Sequence, residues 1–289
     1  MQRADLPSFG HVQRVVIFGI FAFTLMAFAY FKKYYILPQR YHKGPHITLF
    51  TLIAAFASFF LGYWILFPFI LTLIDTIIDP STSTTAFIMI HLSFFCIMGC
   101  LLLFIVYQQN PKNMKKIWKD SSFPLSRSIS SDIFLGIKTL FFAFPVSIFI
   151  NVLTSLIVQM MIEETSLYHE QTAVKLLKKS MHHISALIMS IFSILIRAPL
   201  TEEFLFRGLL QSYFMSRIKI SWAIMFSSLL FALFHFSSLQ GLSNISLICT
   251  LFSFSCFLGF IYEKSRSLIP SITLHFIFNG ISVIQILLK

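Results

Sequence analysis

An all-α, polytopic transmembrane helical bundle with about eight membrane segments is the fold class this sequence predicts, and three observations predict it. The 289 residues are 57% apolar, with 36 Phe and only 11% charged, far from the balance of a soluble domain. The apolar residues gather in several runs of the ~17 to 25 needed to cross a hydrocarbon core about 30 Å thick. The Lys and Arg residues, which give a formal net charge of +11, sit in short loops beside those runs, where they set orientation and meet anionic headgroups. That placement argues against nucleic acid as a partner and for a multi-pass protein of the cell (inner) membrane.

In chain order the runs are Val15 to Phe31, Ile47 to Pro68 or beyond, Ala86 to Tyr107, Ile133 to Ile162, Ile184 to Ile196, Ser221 to Phe236, Ile245 to Tyr262 and Leu268 to Leu288. The first follows Arg3 and Arg14 as a secretory leader would. It runs into Phe31-Lys32-Lys33-Tyr34-Tyr35 with no small-residue cleavage site, so it reads as a retained anchor. Cys96 and Cys100 lie one helical turn apart in the third run, and Cys249 and Cys256 two turns apart in the seventh. Thiols inside such runs read as small packing residues rather than as a disulfide or metal pair. His91 reads the same way, as a packing histidine.

Two polar breaks interrupt the pattern. One is Gln108 to Asp132, with Pro111, Pro124 and five basic residues. The other is Glu163 to His183, whose Ala173 to Met181 part reads as a short amphipathic surface helix. They divide the chain into amino-terminal membrane segments, residues 1–180, of unassigned role, and a carboxy-terminal membrane core, residues 181–289, that carries the unusual polar groups. If the basic loops around Lys32 to Lys43, Lys112 to Arg127, Lys175 to Lys179, Arg217 to Lys219 and Lys264 to Arg266 share the cytoplasmic side, the segment from Ile133 to Ile162 must cross an even number of times. A hairpin or re-entrant pair bent at Pro145 would do so. A single crossing would put the amino-terminal loops outside despite their charge.

The stretch Thr201-Glu202-Glu203-Phe204-Leu205-Phe206-Arg207-Gly208 places three charges in otherwise lipid-soluble sequence. At roughly 2.5 to 3.5 kcal/mol for each central charge, three unpaired groups would cost on the order of 7 to 10 kcal/mol, so such residues are functional candidates. The region from Ile184 to Arg217 would be roughly 51 Å long as one helix, too long for one crossing. Pro199 therefore marks an expected reversal, with Thr201 capping a new helix whose first turn holds Glu202 and Glu203. Glu203 and Arg207, four apart, share a face and can pair, whereas Glu202 points about 100° away and is left free for chemistry.

His235 ends the following span, and His275 and Asn279 share a face of the last one. Counted from the basic turns at 1.5 Å per residue, Glu202 lies roughly 22 Å from Arg217, His235 roughly 24 Å from Lys219, Asn279 roughly 20 Å from Arg266 and His275 about 13 Å in. Antiparallel helices can bring all four into one buried pocket.

At these residues the chain resembles the CPBP, or Abi, intramembrane proteases, which include the type II CAAX prenyl endopeptidases. The likeness covers roughly Ile194 to Gly280. It rests on Ala198-Pro199 before Glu202 to Gly208, on Phe231 to His235, on Gly259 with Tyr262 and Ser267-Leu268, and on His275 to Asn279. The resemblance implies a peptidase with a cavity that opens to the cytosol and a membrane-associated peptide or protein substrate, prenylated or otherwise close to lipid. It assigns Glu202 and His235 to activation of a water, and His275 and Asn279 to the oxyanion. A buried carboxylate beside an imidazole is chemically a general base, and an imidazole with a carboxamide can stabilise an oxyanion.

Two readings compete with an enzyme. One is a non-catalytic scaffold or bacteriocin-immunity-type protein of the same fold, which has no need to bury four polar groups. The other is a transporter in which Glu202, Asp75 and the histidines relay protons, although paired broken helices in the two halves are missing. Zinc is chemically open, with Glu202, His235 and His275 as its ligands. No His-Glu-x-x-His pair fixes two ligands on one turn, and Glu203, once paired with Arg207, leaves no evident carboxylate to orient the imidazoles. The metal-free route is favoured.

Overall fold

A computed structural model of the chain describes residues 9–37, 45–77, 84–109, 111–120, 128–161 and 172–288. The described residues are helical almost throughout. Helix α1 is Phe9–Phe31; α2, residues 49–77, runs through Leu49–Phe60, Leu61–Leu66 and Phe67–Ile77; α3 is Thr84–Gln109 and α4 the short Pro111–Trp118. Then come α5, Ile129–Met161; α6, Thr172–Ser180; α7, Ile184–Met215; α8, Ile220–Phe234; α9, Ser243–Ser265; and α10, Leu268–Leu287. Seven of these are long and apolar enough to cross a membrane, and α8 is a shorter apolar helix. The protein is a multi-pass, all-α membrane protein.

Two expectations about prolines are corrected. Neither Pro145 nor Pro199 reverses the chain: α5 continues through Pro145 for 33 residues, and α7 continues through Pro199. A proline removes one N–H and crowds the carbonyl four residues back. In α7 the turn just before it, Ser193–Arg197, is wound as a π-helix, with the Ala198 N–H bonded to the Ser193 carbonyl five residues back, which widens the helix where the ring must fit. The same device precedes Pro68 in α2, where Leu61–Leu66 is π-wound. Thr201 is no cap, because its hydroxyl donates to the Arg197 carbonyl at 2.7 Å. Glu202 and Glu203 are thus mid-helix, with no dipole at hand to offset their charge. Helices of 32 and 33 residues exceed the hydrocarbon thickness and fit a bilayer by tilting or extending beyond it.

Single crossings by α5 and α7 resolve the parity question. The Asp120 N–H bonds the Arg266 carbonyl, Lys119 bridges Ser267, and Lys119 Nζ pairs at 3.4 Å with buried Asp132 at the start of α5. Lys264 Nζ bonds the Tyr34 and Ile36 carbonyls beyond α1. These contacts gather Lys32, Lys33, the lysines of α4, Lys264 and Arg266 on one face, with Arg217 and Lys219 at the same end of α7 and α8. Lys175, Lys178 and Lys179 of α6 fall on the other. The supposition that all five basic loops share a side thus fails for α6, and a single crossing by α5 leaves the amino-terminal loops on the basic face because α7 also crosses once instead of reversing at Pro199. The positive-inside bias assigns the richer face to the cytoplasm.

Packing follows from small residues at close approaches. A Cβ at Gly136 of α5 would lie 2.6 Å from the Pro270 carbonyl oxygen and 2.8 Å from Thr273 Cβ, so the glycine sets how closely α5 lies against α10. A Cβ at Gly208 would meet Ile117 Cγ2 at 2.7 Å, which explains a glycine under α4. Phe206, fully buried, is edge-on to Phe56 and Phe231 at 5.3 and 5.2 Å, tying α7 to α2 and α8. Gly136→Ala is expected to cost about 1 to 3 kcal/mol, read as a lower unfolding temperature in detergent. An unchanged midpoint would mean that the two helices part without penalty.

Candidate active site

The six polar residues singled out in the sequence come from two helices and the end of a third. Glu202, Glu203 and Arg207 lie on α7, His235 caps α8, and His275 and Asn279 lie on α10. Glu203 and Arg207 are fully buried and paired, with Arg207 Nη1 3.1 Å from Glu203 Oε1. The guanidinium is also clamped by α9, donating from Nη2 to Ser255 Oγ at 2.6 Å and to the Ser255 carbonyl at 3.3 Å. Its other face lies over the Phe231 ring, 4.5 Å from the centroid. Burial in a low dielectric is offset here by pairing, hydrogen bonds and ring contact together.

Glu203 Oε1 has a second partner. It accepts from His275 Nδ1 at 2.8 Å, so a carboxylate does orient one imidazole, against the expectation that pairing with Arg207 would use Glu203 up. A carboxylate oxygen can accept two hydrogen bonds. His235 Nδ1 is 2.9 Å from the Phe231 carbonyl. A carbonyl only accepts, so Nδ1 carries the proton in both neutral rings and Nε2 presents a lone pair. Both Nε2 atoms face Glu202. Its Oε2, buried and without a hydrogen-bond partner, lies 3.8 Å from His235 Nε2 and 4.0 Å from His275 Nε2.

Asn279 sits elsewhere on the wall. Its Nδ2 donates at 2.8 Å to the Ile194 carbonyl, which lies five residues before Pro199 in the π-wound stretch. That is the carbonyl a π-register N–H at position 199 would have used, so the carboxamide supplies the bond that proline cannot. One amide hydrogen of Asn279 is spent this way and the second is not.

Glu202, His235, His275 and Asn279 all line one cavity of about 1920 Å³ that reaches α2, α3 and α5 as well. His235 is more open, at 30% side-chain exposure, than Glu202 at 12% and His275 at 6%. His91 also lines the cavity, edge-on to Phe67 at 4.8 Å. The Asp75 side chain lies outside the described residues.

The residues present do not form a zinc cage. Zinc–ligand bonds of about 2.0 to 2.1 Å put tetrahedral ligand atoms about 3.3 to 3.4 Å apart, and the Glu202 to imidazole distances of 3.8 and 4.0 Å exceed that. Among the described residues no group of three His, Cys, Asp or Glu is arranged to hold a metal ion.

Residues 184–281 match the family described as type II CAAX prenyl endopeptidase Rce1-like. The likeness to that family covers this segment alone. The segment contains all six residues above and α7 to α10 almost entire, while the helices before it fall outside the match. The family is one of membrane proteases, which supports a hydrolase kind and a membrane-associated substrate. No curated protein and no solved structure gave a match. Within the Rce1-like segment, sequence reasoning missed Ser255 as the clamp on Arg207 and Phe231 as the ring shared by Arg207, His235 and His275. The available signal for Ser255 was a polar residue in a long apolar helix, which many such residues share.

Proposed function

We propose that this protein is an intramembrane endopeptidase of the inner cell membrane that hydrolyses a peptide bond of a membrane-associated substrate. The observation that carries this reading is the convergence of Glu202 Oε2 on the Nε2 atoms of two histidines inside one cavity. Three acceptors about 4 Å apart do not bond one another, but a water between Glu202 and His235 can donate to both. Glu202 would take a proton as the water oxygen attacks the peptide carbonyl, and that proton would pass to the departing amine nitrogen as the C–N bond breaks. His275, its Nδ1–H held by Glu203, would enter the cycle protonated at Nε2 by solvent and keep that proton while hydrogen-bonding the oxyanion, with the free amide hydrogen of Asn279 as second donor. Arg207 acts through Glu203, holding that carboxylate in place.

The likeness to the type II CAAX prenyl endopeptidases supports a CAAX-type substrate, with a lipid-modified cysteine near the carboxy terminus. Incubating the purified chain in detergent with such a peptide tests the reading. Cleavage supports it, and an intact peptide beside proton-coupled uptake in liposomes would favour the transporter.

Asn279→Ala is expected to lower kcat about a hundred- to a thousandfold with little change in KM, because an oxyanion donor acts mainly in the transition state. A raised KM at unchanged kcat would assign Asn279 to binding. Activity is also expected to survive exhaustive chelation. Stoichiometric zinc in the purified protein, with activity lost on its removal and restored on its return, would make Glu202, His235 and His275 metal ligands instead.

A further inference from the structure

The cavity is set toward one side of the membrane. Thr48 donates to Gln109 Oε1 at 2.8 Å, which places the start of α2 beside the end of α3, at the face that carries most of the basic residues. Measured from that face, the lining of each long helix around the cavity starts late. Among the described residues it begins at Phe59 on α2, Phe144 on α5 and His275 on α10, and it ends at Phe94 on α3, Glu202 on α7 and Phe254 on α9. The shortest of these gaps, from Leu268 to His275, is roughly 10 Å of helix.

The layer between the cavity and the basic face is packed. Residues Phe204–Gln211 of α7 are all buried, and Ile117 of α4, Leu205 and Leu209 of α7 and Leu268 of α10 have no solvent exposure. At the other face the lining runs out to the connections, through His182 and His183 before α7 and Phe236 to Gln240 after α8. There both histidines, Phe236 and Ser238 are exposed, as is Leu239 at 71%. A peptide that travels as extended chain must keep its N–H and C=O groups paired or wet. The packed floor leaves no room for that, whereas the exposed connections admit water beside the chain.

We propose that substrate enters this cavity from the extracytoplasmic face, so that the chain it cuts is one already exposed on the outer side of the membrane. This rests on the peptidase reading for there being a chain to cut. The entry side is the reverse of the cytosolic mouth implied by the family resemblance, and it follows from the basic loops lying at the closed end. A lipid-modified cysteine would then sit in the outer leaflet, and a protein that stays in the cytosol would not meet Glu202.

The test labels single cysteines in the full chain with a small, membrane-impermeant anionic methanethiosulfonate, in intact spheroplasts and in inverted vesicles. Cys96→Ser, Cys100→Ser, Cys249→Ser and Cys256→Ser supply the background. Ser282→Cys reports the cavity, Leu239→Cys its mouth and Ser216→Cys the basic face. Ser282→Cys and Leu239→Cys are expected to react about tenfold or more faster in spheroplasts than in inverted vesicles, and Ser216→Cys the reverse, because an anion does not cross the hydrocarbon core. If the four serines lower the yield of folded protein, each new cysteine is read as the added label over the wild type. Faster labelling of Ser216→Cys in spheroplasts would overturn the proposal by inverting the protein. Labelling of Leu239→Cys from outside with Ser282→Cys labelled only in inverted vesicles, or from neither side, would overturn it by closing the mouth. A second arm adds a farnesyl-cysteine peptide fused to a folded fluorescent protein, too large to cross, to each preparation. Cleavage in spheroplasts is expected, and cleavage in inverted vesicles alone would overturn the proposal. The two readings fail separately. The expected labelling with no cleavage in either preparation keeps the entry side and removes the peptidase, whereas cleavage with the labelling reversed keeps the peptidase and removes the entry side.

Discussion

Purified Glu202→Gln protein is expected to fold normally and to have no measurable peptidase activity. The substitution keeps the shape of the side chain and replaces a proton acceptor with an amide that cannot take a proton at Oε2, the atom facing both imidazoles at 3.8 and 4.0 Å. General base catalysis alone is worth about a hundred- to ten-thousandfold. The loss should exceed that, because the same atom would also orient the water. Stability should change little or rise. Glu202 Oε2 is buried without a hydrogen-bond partner, so the wild-type protein carries a desolvation penalty there that a neutral side chain relieves. Near wild-type cleavage would remove Glu202 from the chemistry. Loss of activity together with a collapsed unfolding midpoint would make it structural.

Removing either member of the Glu203–Arg207 pair is expected to cost about 3 to 5 kcal/mol, the penalty for leaving the other charge buried and unpaired. Both side chains have no solvent exposure. The two single variants should nonetheless differ. Arg207→Ala leaves Glu203 one remaining cationic partner, His275 Nδ1 at 2.8 Å, provided that ring is protonated. Glu203→Ala leaves Arg207 with Ser255 and the Phe231 ring, and leaves His275 free to turn. Glu203→Ala should therefore lower kcat in whatever folded fraction remains, beyond its effect on yield, while Arg207→Ala acts mainly on yield. Unfolding midpoints in detergent and kcat per folded molecule separate the two effects. Unchanged midpoints in both variants would contradict the pairing argument.

The fold class was legible because lipid imposes length and composition on every span, and the apolar runs matched the helices of the structure except at the fifth, which continues from Ile196 to Met215. The prolines were misread. A rule learned from isolated helices says that Pro199 disfavours a helical Ala198, yet a π-turn before the proline and the Asn279 amide on the Ile194 carbonyl together keep the helix whole. Neither can be read from local sequence, since one is a choice of backbone register and the other a contact between residues far apart in the chain. The Glu203 to Arg207 spacing was readable because four residues on one helix is a local geometry. Ser255, Phe231 and the second role of Glu203 were not, because each depends on how α7, α8, α9 and α10 are set against one another. The contact of Arg197 with Tyr63 was hidden for the same reason, since only the placement of α2 shows it.

The central claim is that the cavity hydrolyses peptide bonds with a water activated at Glu202, and mass spectrometry of the products made in oxygen-18 water tests it most directly. Purified wild-type protein in detergent, incubated with a peptide bearing a lipid-modified cysteine near its carboxy terminus, should release two fragments from a single cut. The new carboxylate should carry one oxygen-18 atom. The Glu202→Gln protein, equally folded, should release none. An intact peptide after prolonged incubation with folded wild-type protein, or equal cleavage by both proteins, would contradict the account.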